Sequence, residues 1–329
     1  MATANVKQLY KCKKPLAVLA AVVSLVLVLQ PGDAKQAHRN ALGKLSSFMR
    51  TRNFVVRYEP EDPFLARLLA QTAEDELRRI AKDLGYEPTG NRPFTLYVFR
   101  SHADFVESGG LEIDKLTVGT ASLGTDEIAV DASGVFDLPE RILAHEITHA
   151  VVFRLLGPLA TELPLWMHEG LAGYESRELS GYDDEIIATA AAEGSVIPLF
   201  RLRKSFPKSR TGLAYAESAS AVRFMVARFG RAAPRMLILH LQETYSMDKA
   251  MVAVTGRNLS AFEQEWLAEI SKRYSGLRWI RLATAFVSVL MAALAIAAYL
   301  ARRNRSIEEA DGSDDECWDT DFGNDDARH

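Results

Sequence analysis

The stretch ERILAHEITHAVVFRLLG, residues 140–157, sets two histidines and a glutamate inside an apolar run. Burying such groups together is costly unless something engages them. Asp137, Pro139 and Glu140 read as a helix start, with Asp137 as the cap, a first-turn proline, and an acid three residues after the cap. Gly157-Pro158 reads as its end. His145 and His149, four apart on that helix, project from one face and can share one metal ion. Glu146 is offset from that pair but can reach a water on the ion. This is the HExxH arrangement. A bare HExxH also fits a helix whose histidines merely face solvent, so a third ligand separates the two readings.

ELPLWMHEGLAGYES, residues 162–176, supplies Glu169, twenty residues beyond His149. Pro164 can open a second helix there. Ala172 and Gly173 share the face of Glu169, and their small size is expected to let this helix approach the first. His168 should point about 100° away from Glu169 and is not expected to be a ligand. His240, in MLILHLQETY, reads as a surface or packing residue.

HEITH followed at this distance by LPLWMHEGLAGY resembles the gluzincin metallopeptidases. It looks most like the bacterial peptidase-MA-like family, and more remotely like thermolysin and the membrane-alanyl-type aminopeptidases. The W-x-x-E-G-x-A block around Glu169 is the more specific half. Weaker similarity runs over 53–275, through VGTASLGTDEIAVD before the motif helix and AYAESASAVRFMVARFG after it. The resemblance implies one zinc ion held by His145, His149 and Glu169, with Glu146 as general base. Two histidines and a carboxylate leave one coordination position open, as catalytic zinc sites do. Such an ion acidifies bound water and polarises a carbonyl, which implies hydrolysis of a peptide or protein substrate.

Other roles follow less directly. Related enzymes use a downstream Tyr or His as a second donor to the reacting oxygen, and Tyr215 in GLAYAES is the candidate. Packing on the core is its alternative role. EIAVD, 127–131, is expected to be an edge strand along the cleft, able to pair with an extended peptide. Some relatives carry an acid four residues after the ligand glutamate to orient a histidine. Here Gly173 occupies that position, and Phe153 stands four after His149. A competing reading is an inactive zinc-binding domain that holds a peptide or protein partner.

Around the motif, NFVVRYEP (53–60) and PFTLYVF (93–99) read as strands, and DPFLARLLAQTAEDELRRIAKDLG (62–85) as a helix closed by glycine. SHADFVESGG (101–110) reads as a short helix and 117–133 as a hairpin or pair of edge strands. From 137 to 275 the pattern is almost all helical. Strands first and helices later predict an α+β domain over 53–276, with an N-terminal mixed sheet and a mostly helical second half, and the resemblance implies that it is zincin-like. Residues 35–52 read as a linker or amphipathic lead-in helix.

The ends follow a different logic. PLAVLAAVVSLVLVLQ (15–30) carries no charge and follows Lys7, Lys11, Lys13 and Lys14, so 1–34 reads as a signal peptide or N-terminal anchor. The twenty uncharged residues 282–301 would rise about 30 Å as a helix, enough to cross a bilayer core. Arg302, Arg303 and Arg305 follow, then an acidic tail. Residues 306–329 hold ten acids and one arginine, a charge of −9 against a total of −4. The tail 302–329 is expected to be disordered. The scattered positive balance of the remainder does not indicate nucleic-acid binding. The N-terminal lysines favour a cytoplasmic N-terminus, an extracytoplasmic central domain at a bacterial cell membrane, and a cytoplasmic tail. Cys12 and Cys317, at opposite ends, are the two cysteines, and an exported domain with an adequate core needs no disulfide. HEITH lies outside both hydrophobic segments, which excludes an intramembrane protease.

Overall fold

Alternating apolar residues build the N-terminal half. The computed structural model describes residues 40–109, 117–177 and 181–311. Strand β1 (Ser47–Arg50) pairs antiparallel with β2 (Phe54–Tyr58). The linker expected over 35–52 therefore contains a strand. Helix α1 (Pro63–Leu84) starts on Asp62, whose side chain accepts from the Leu65 N–H, and ends at Gly85 in the left-handed conformation, φ 77°. It crosses to β3 (Phe94–Phe99), parallel to β2. Helix α2 (His102–Ser108) follows, then β4 (Gly119–Ala121) and β5 (Glu127–Asp131). The last two form the expected hairpin. β5 pairs parallel with β3, giving the strand order β1-β2-β3-β5-β4.

This order corrects one expectation. β5 lies inside the sheet, because β3 and β4 satisfy its two sides, and β4 is the edge strand. Among the described residues no strand covers the outer side of β4. A docking role for an extended chain therefore moves from 127–131 to 119–121.

Helix α3 (Pro139–Leu156) packs against β4, β5 and α1. It is buried almost all round, from Ile142 through Phe153, and so shows no amphipathic stripe. Its N-cap is Leu138. Asp137 does not cap the helix, since its carboxylate accepts from the Leu138 N–H and the Arg141 side chain. The C-terminal end is tied to the hairpin. Arg154 Nε donates to Asp126 at 2.9 Å, its Nη1 donates to the Tyr86 hydroxyl, and its guanidinium lies 3.3 Å from the Phe94 ring centroid.

Beyond α3 the fold is helical, as expected: α4 (Leu165–Glu175), α5 (Gly181–Glu193), α6 (Thr211–Phe229), α7 (Ala233–Thr244), α8 (Met247–Thr255) and α9 (Leu259–Asp311). A close contact with a different helix forms at Gly170, where a Cβ would collide with the backbone carbonyl of Ser218 and with Val222 on α6. Buried carboxylates fasten the connector between α5 and α6. Glu217 accepts the Ile197 N–H at 3.0 Å and Glu263 accepts the Leu199 N–H at 2.7 Å.

The chain divides after Lys272 into two units. Two helical stretches among the described residues are long and apolar enough to cross a membrane. Pro139–Glu162 contains α3 and is mostly buried in the fold, so it is a core helix. Phe286–Arg303 is entirely unburied and overlaps the expected span 282–301. Helix α9 continues through Asp311, so the tail expected from residue 302 begins as helix. Segment 15–30, Cys12, Cys317 and the rest of the tail lie outside the described residues.

Burial pushes the Glu217 carboxyl up to about 8, against the lowering effects of the Ile197 N–H and Arg210. The folded chain then keeps a proton that the unfolded chain loses above its ordinary 4.5. Its stabilising effect is full below that value and is lost as pH rises through about 8. Glu217→Gln is therefore expected to flatten the fall in stability between about pH 5 and pH 9, measured as urea midpoints. An unchanged slope contradicts this.

Candidate metal centre

Two helices bring the donors together. α3 carries His145 and His149 on one face. α4, capped at Pro164 as the sequence suggested, carries Glu169 at its second turn. One donor atom from each of the three residues lies within 4.8 Å of the others, and all three residues are buried. Glu169 Oε2 stands 3.4 Å from His145 Nε2 and 3.6 Å from His149 Nε2. These separations exceed a good N–H···O hydrogen bond, about 2.7–3.2 Å. They match two ligands of one tetrahedral zinc ion, about 3.3–3.5 Å apart when each bond is about 2.0–2.1 Å. Glu169 Oε2 and His149 Nε2 are buried without a hydrogen-bond partner, although polar atoms so placed are nearly always satisfied. The donor set and its geometry therefore fit a divalent cation.

The charge state fits as well. Burial alone would raise the Glu169 carboxyl. The neighbouring His149 and His145 outweigh it and hold the group at about 2. Glu169 is thus an anion, the form that ligates metal.

Glu146 is fully buried and sits against the edge strand. A Cβ placed on Gly119 of β4 would lie 2.5 Å from Glu146 Oε1, 2.7 Å from its Cγ and 2.8 Å from Ile142. Glycine at 119 is what lets β4 pass so close to this carboxylate. Tyr215 lies on α6, stacked edge-to-face on Phe206 with ring centroids 5.0 Å apart. It is not among the residues lining the pocket beside the cluster. His168 stays outside the donor set, as expected. Its Nε2 donates to the Ala160 carbonyl at 2.8 Å, and burial, reinforced by His149, lowers it to about 4, so it is neutral. His240 pairs with Glu243 at the surface, away from the cluster.

The support around the ligands was not legible in the motifs. His149 stacks on Phe153 with centroids 6.1 Å apart and approaches His168 at 6.0 Å. Arg79 of α1 donates to the Glu175 carboxylate and to the Glu175 carbonyl, both at 2.5 Å, and so fixes the far end of α4. Arg79 gave no signal in the sequence, because its neighbours Asp75, Glu76, Lys82 and Asp83 make it part of an ordinary polar helix face. For Gly119 the signal was a glycine inside a strand pattern.

A model of the peptidase MA superfamily matches residues 72–272. The chain belongs to this superfamily. The matched region includes the second half of α1, the sheet from β3 onward, both ligand-bearing helices and the first part of α9. Among solved structures, the chain is similar to a two-domain M1 zinc metallopeptidase crystallised as a point mutant bound to L-arginine. That similarity has 17% identity and a TM-score of 0.38, and covers 66% of this chain and 47% of the other. The chain thus spans about half the length of that structure. No curated protein matches it.

In this member of the superfamily, Gly119→Ala should destabilise the fold by about 1–3 kcal/mol through overpacking. Gly212→Ala, on α6 with nothing within 4 Å of the new methyl, should be neutral or slightly stabilising. Urea unfolding of both variants checks this, and equal midpoints would refute the close packing on Glu146.

Proposed function

We propose that the chain is a membrane-anchored, zinc-dependent peptidase. The observation that carries the reading is the buried His145–His149–Glu169 cluster, in which His149 Nε2 and Glu169 Oε2 have no hydrogen-bond partner. Membership of a peptidase superfamily supports it. The three side chains would hold one zinc ion. Zinc there would acidify a water and polarise the carbonyl of the bond to be cut.

The remaining steps belong to the protein. Glu146, buried on the motif helix beside Gly119, takes the water's proton and returns it to the leaving nitrogen. An extended peptide adds to the outer side of β4, which no strand among the described residues covers, with backbone hydrogen bonds holding it along the sheet edge. Tyr215, packed edge-to-face on Phe206, is the candidate donor to the oxyanion. The apolar helix Phe286–Arg303, unburied in the fold, spans the membrane and tethers the catalytic unit. The charge pattern of the ends supports a catalytic unit outside the cytoplasm and an acidic tail inside.

Glu146→Gln should keep zinc and lose about 100-fold or more in peptide turnover, the range for removing a general base. A chelator should abolish wild-type turnover, and added zinc should restore it. Turnover in Glu146→Gln equal to wild type would remove the proposed base. Zinc binding with no hydrolysis of any peptide would favour the inactive, partner-holding domain.

A further inference from the structure

We propose that the pocket beside the metal cluster selects a carboxylate on the peptide, either an acidic side chain or the chain's C-terminus, next to the bond to be cut. This rests on the peptidase reading above and adds the substrate class.

The pocket has a volume of about 350 Å³ and opens from His149 and Glu169. Its walls are apolar, made by Leu123, Phe153, Leu163 and Leu165, and Arg203 and Lys204 stand in its lining as exposed side chains. Glu169 is the one acid in that lining, and the two histidines already engage it. Neither Arg203 nor Lys204 has an ion-pair partner among the described residues. The connector around them is uniformly cationic. Residues 201–210 hold Arg201, Arg203, Lys204, Lys208 and Arg210 and no acid.

The nearby carboxylates do not offset this charge. Glu217 is buried, faces the Ile197 N–H and is neutral at pH 7, and Glu263 is spent on the Leu199 N–H. His168 is committed to the Ala160 carbonyl.

The basic pair is also anchored. The Arg203 carbonyl accepts the N–H of Leu165, the first residue of α4, at 2.8 Å. Glu169 follows four residues later on the same helix. The backbone that carries the cations is therefore tied to the start of the ligand helix, and Glu217 and Glu263 accept N–H groups of Ile197 and Leu199 just ahead of it. A largely apolar chamber lined by two cations without an ion-pair partner among the described residues attracts a short chain carrying an anion. It repels lysine and arginine.

The test uses the full chain in detergent, zinc-loaded, as Glu146→Gln so that bound peptides persist. Probes are dye-labelled alanine-based peptides with Glu, Gln or Lys walked through every position. Each is made with a free and an amidated C-terminus, and binding is read by fluorescence anisotropy. At one position the Glu peptide should bind about 5-fold tighter than Gln, the range for exposed charge pairs. Lys should bind more weakly than either. A preference tied to the internal Glu assigns an acidic side chain, and one tied to the free terminus assigns a carboxypeptidase-like end.

Arg203→Gln/Lys204→Gln should remove the difference, Arg203→Glu/Lys204→Glu should invert it toward Lys, and about 1 M salt should suppress it. Circular dichroism and zinc content matching the parent show that the variants are folded. No difference between Glu, Gln and Lys peptides, whether all bind or none does, overturns the proposal. So does a preference that survives in the double variants. The peptidase reading fails separately, if the wild-type chain shows the binding preference yet cleaves none of the peptides.

Discussion

The structure turns on three donors from two helices meeting in an apolar interior. Two imidazoles and a carboxylate are removed from water at His145, His149 and Glu169, with Glu169 Oε2 3.4 Å and 3.6 Å from the two Nε2 atoms. Uncompensated, such a cluster would cost several kcal/mol. A divalent cation at their centre turns the same arrangement into a stabilising one, because its binding free energy becomes folding free energy. The surrounding fold reads as the means of making the two helices meet there.

Each helix is fixed from more than one side. α3 is buried between the sheet and α1, with Arg154 joining its end to the hairpin at Asp126 and to the Phe94 ring. α4 is pressed onto α6 at Gly170 and held at its far end by Arg79. The hairpin so fixed carries β4, and β4 brings Gly119 against Glu146. A single salt-bridged corner therefore sets both the ligand helix and the strand that lies over the proposed base. The basic connector 201–210, tied to the start of α4, belongs to the same arrangement.

Much of this was legible before any coordinates. The i, i+4 spacing of the histidines fixes their shared face, and Pro164 marks the start of the helix carrying Glu169. Period-two apolar runs gave β2, β3 and the hairpin. What the sequence could not show was decided by tertiary pairing. Strand order is non-local, so β5 read as an edge although β4 covers it. The contact of Gly170 with α6 has no signal in the Glu169 block itself, because the partner helix begins about forty residues later. Asp137 had the look of a cap, yet its carboxylate turned to Arg141. The lining of the pocket is built from four separate segments, and no single motif announces it.

The most direct measurement is the metal content of the purified chain after zinc loading and exhaustive dialysis, for the wild type and for Glu169→Gln, with folding followed by circular dichroism. The account predicts about one equivalent of zinc in the wild type and little in the folded variant, since a carboxamide is a poor replacement for a carboxylate ligand. A folded wild-type chain that retains no zinc, or a variant that retains as much as the wild type, would contradict it.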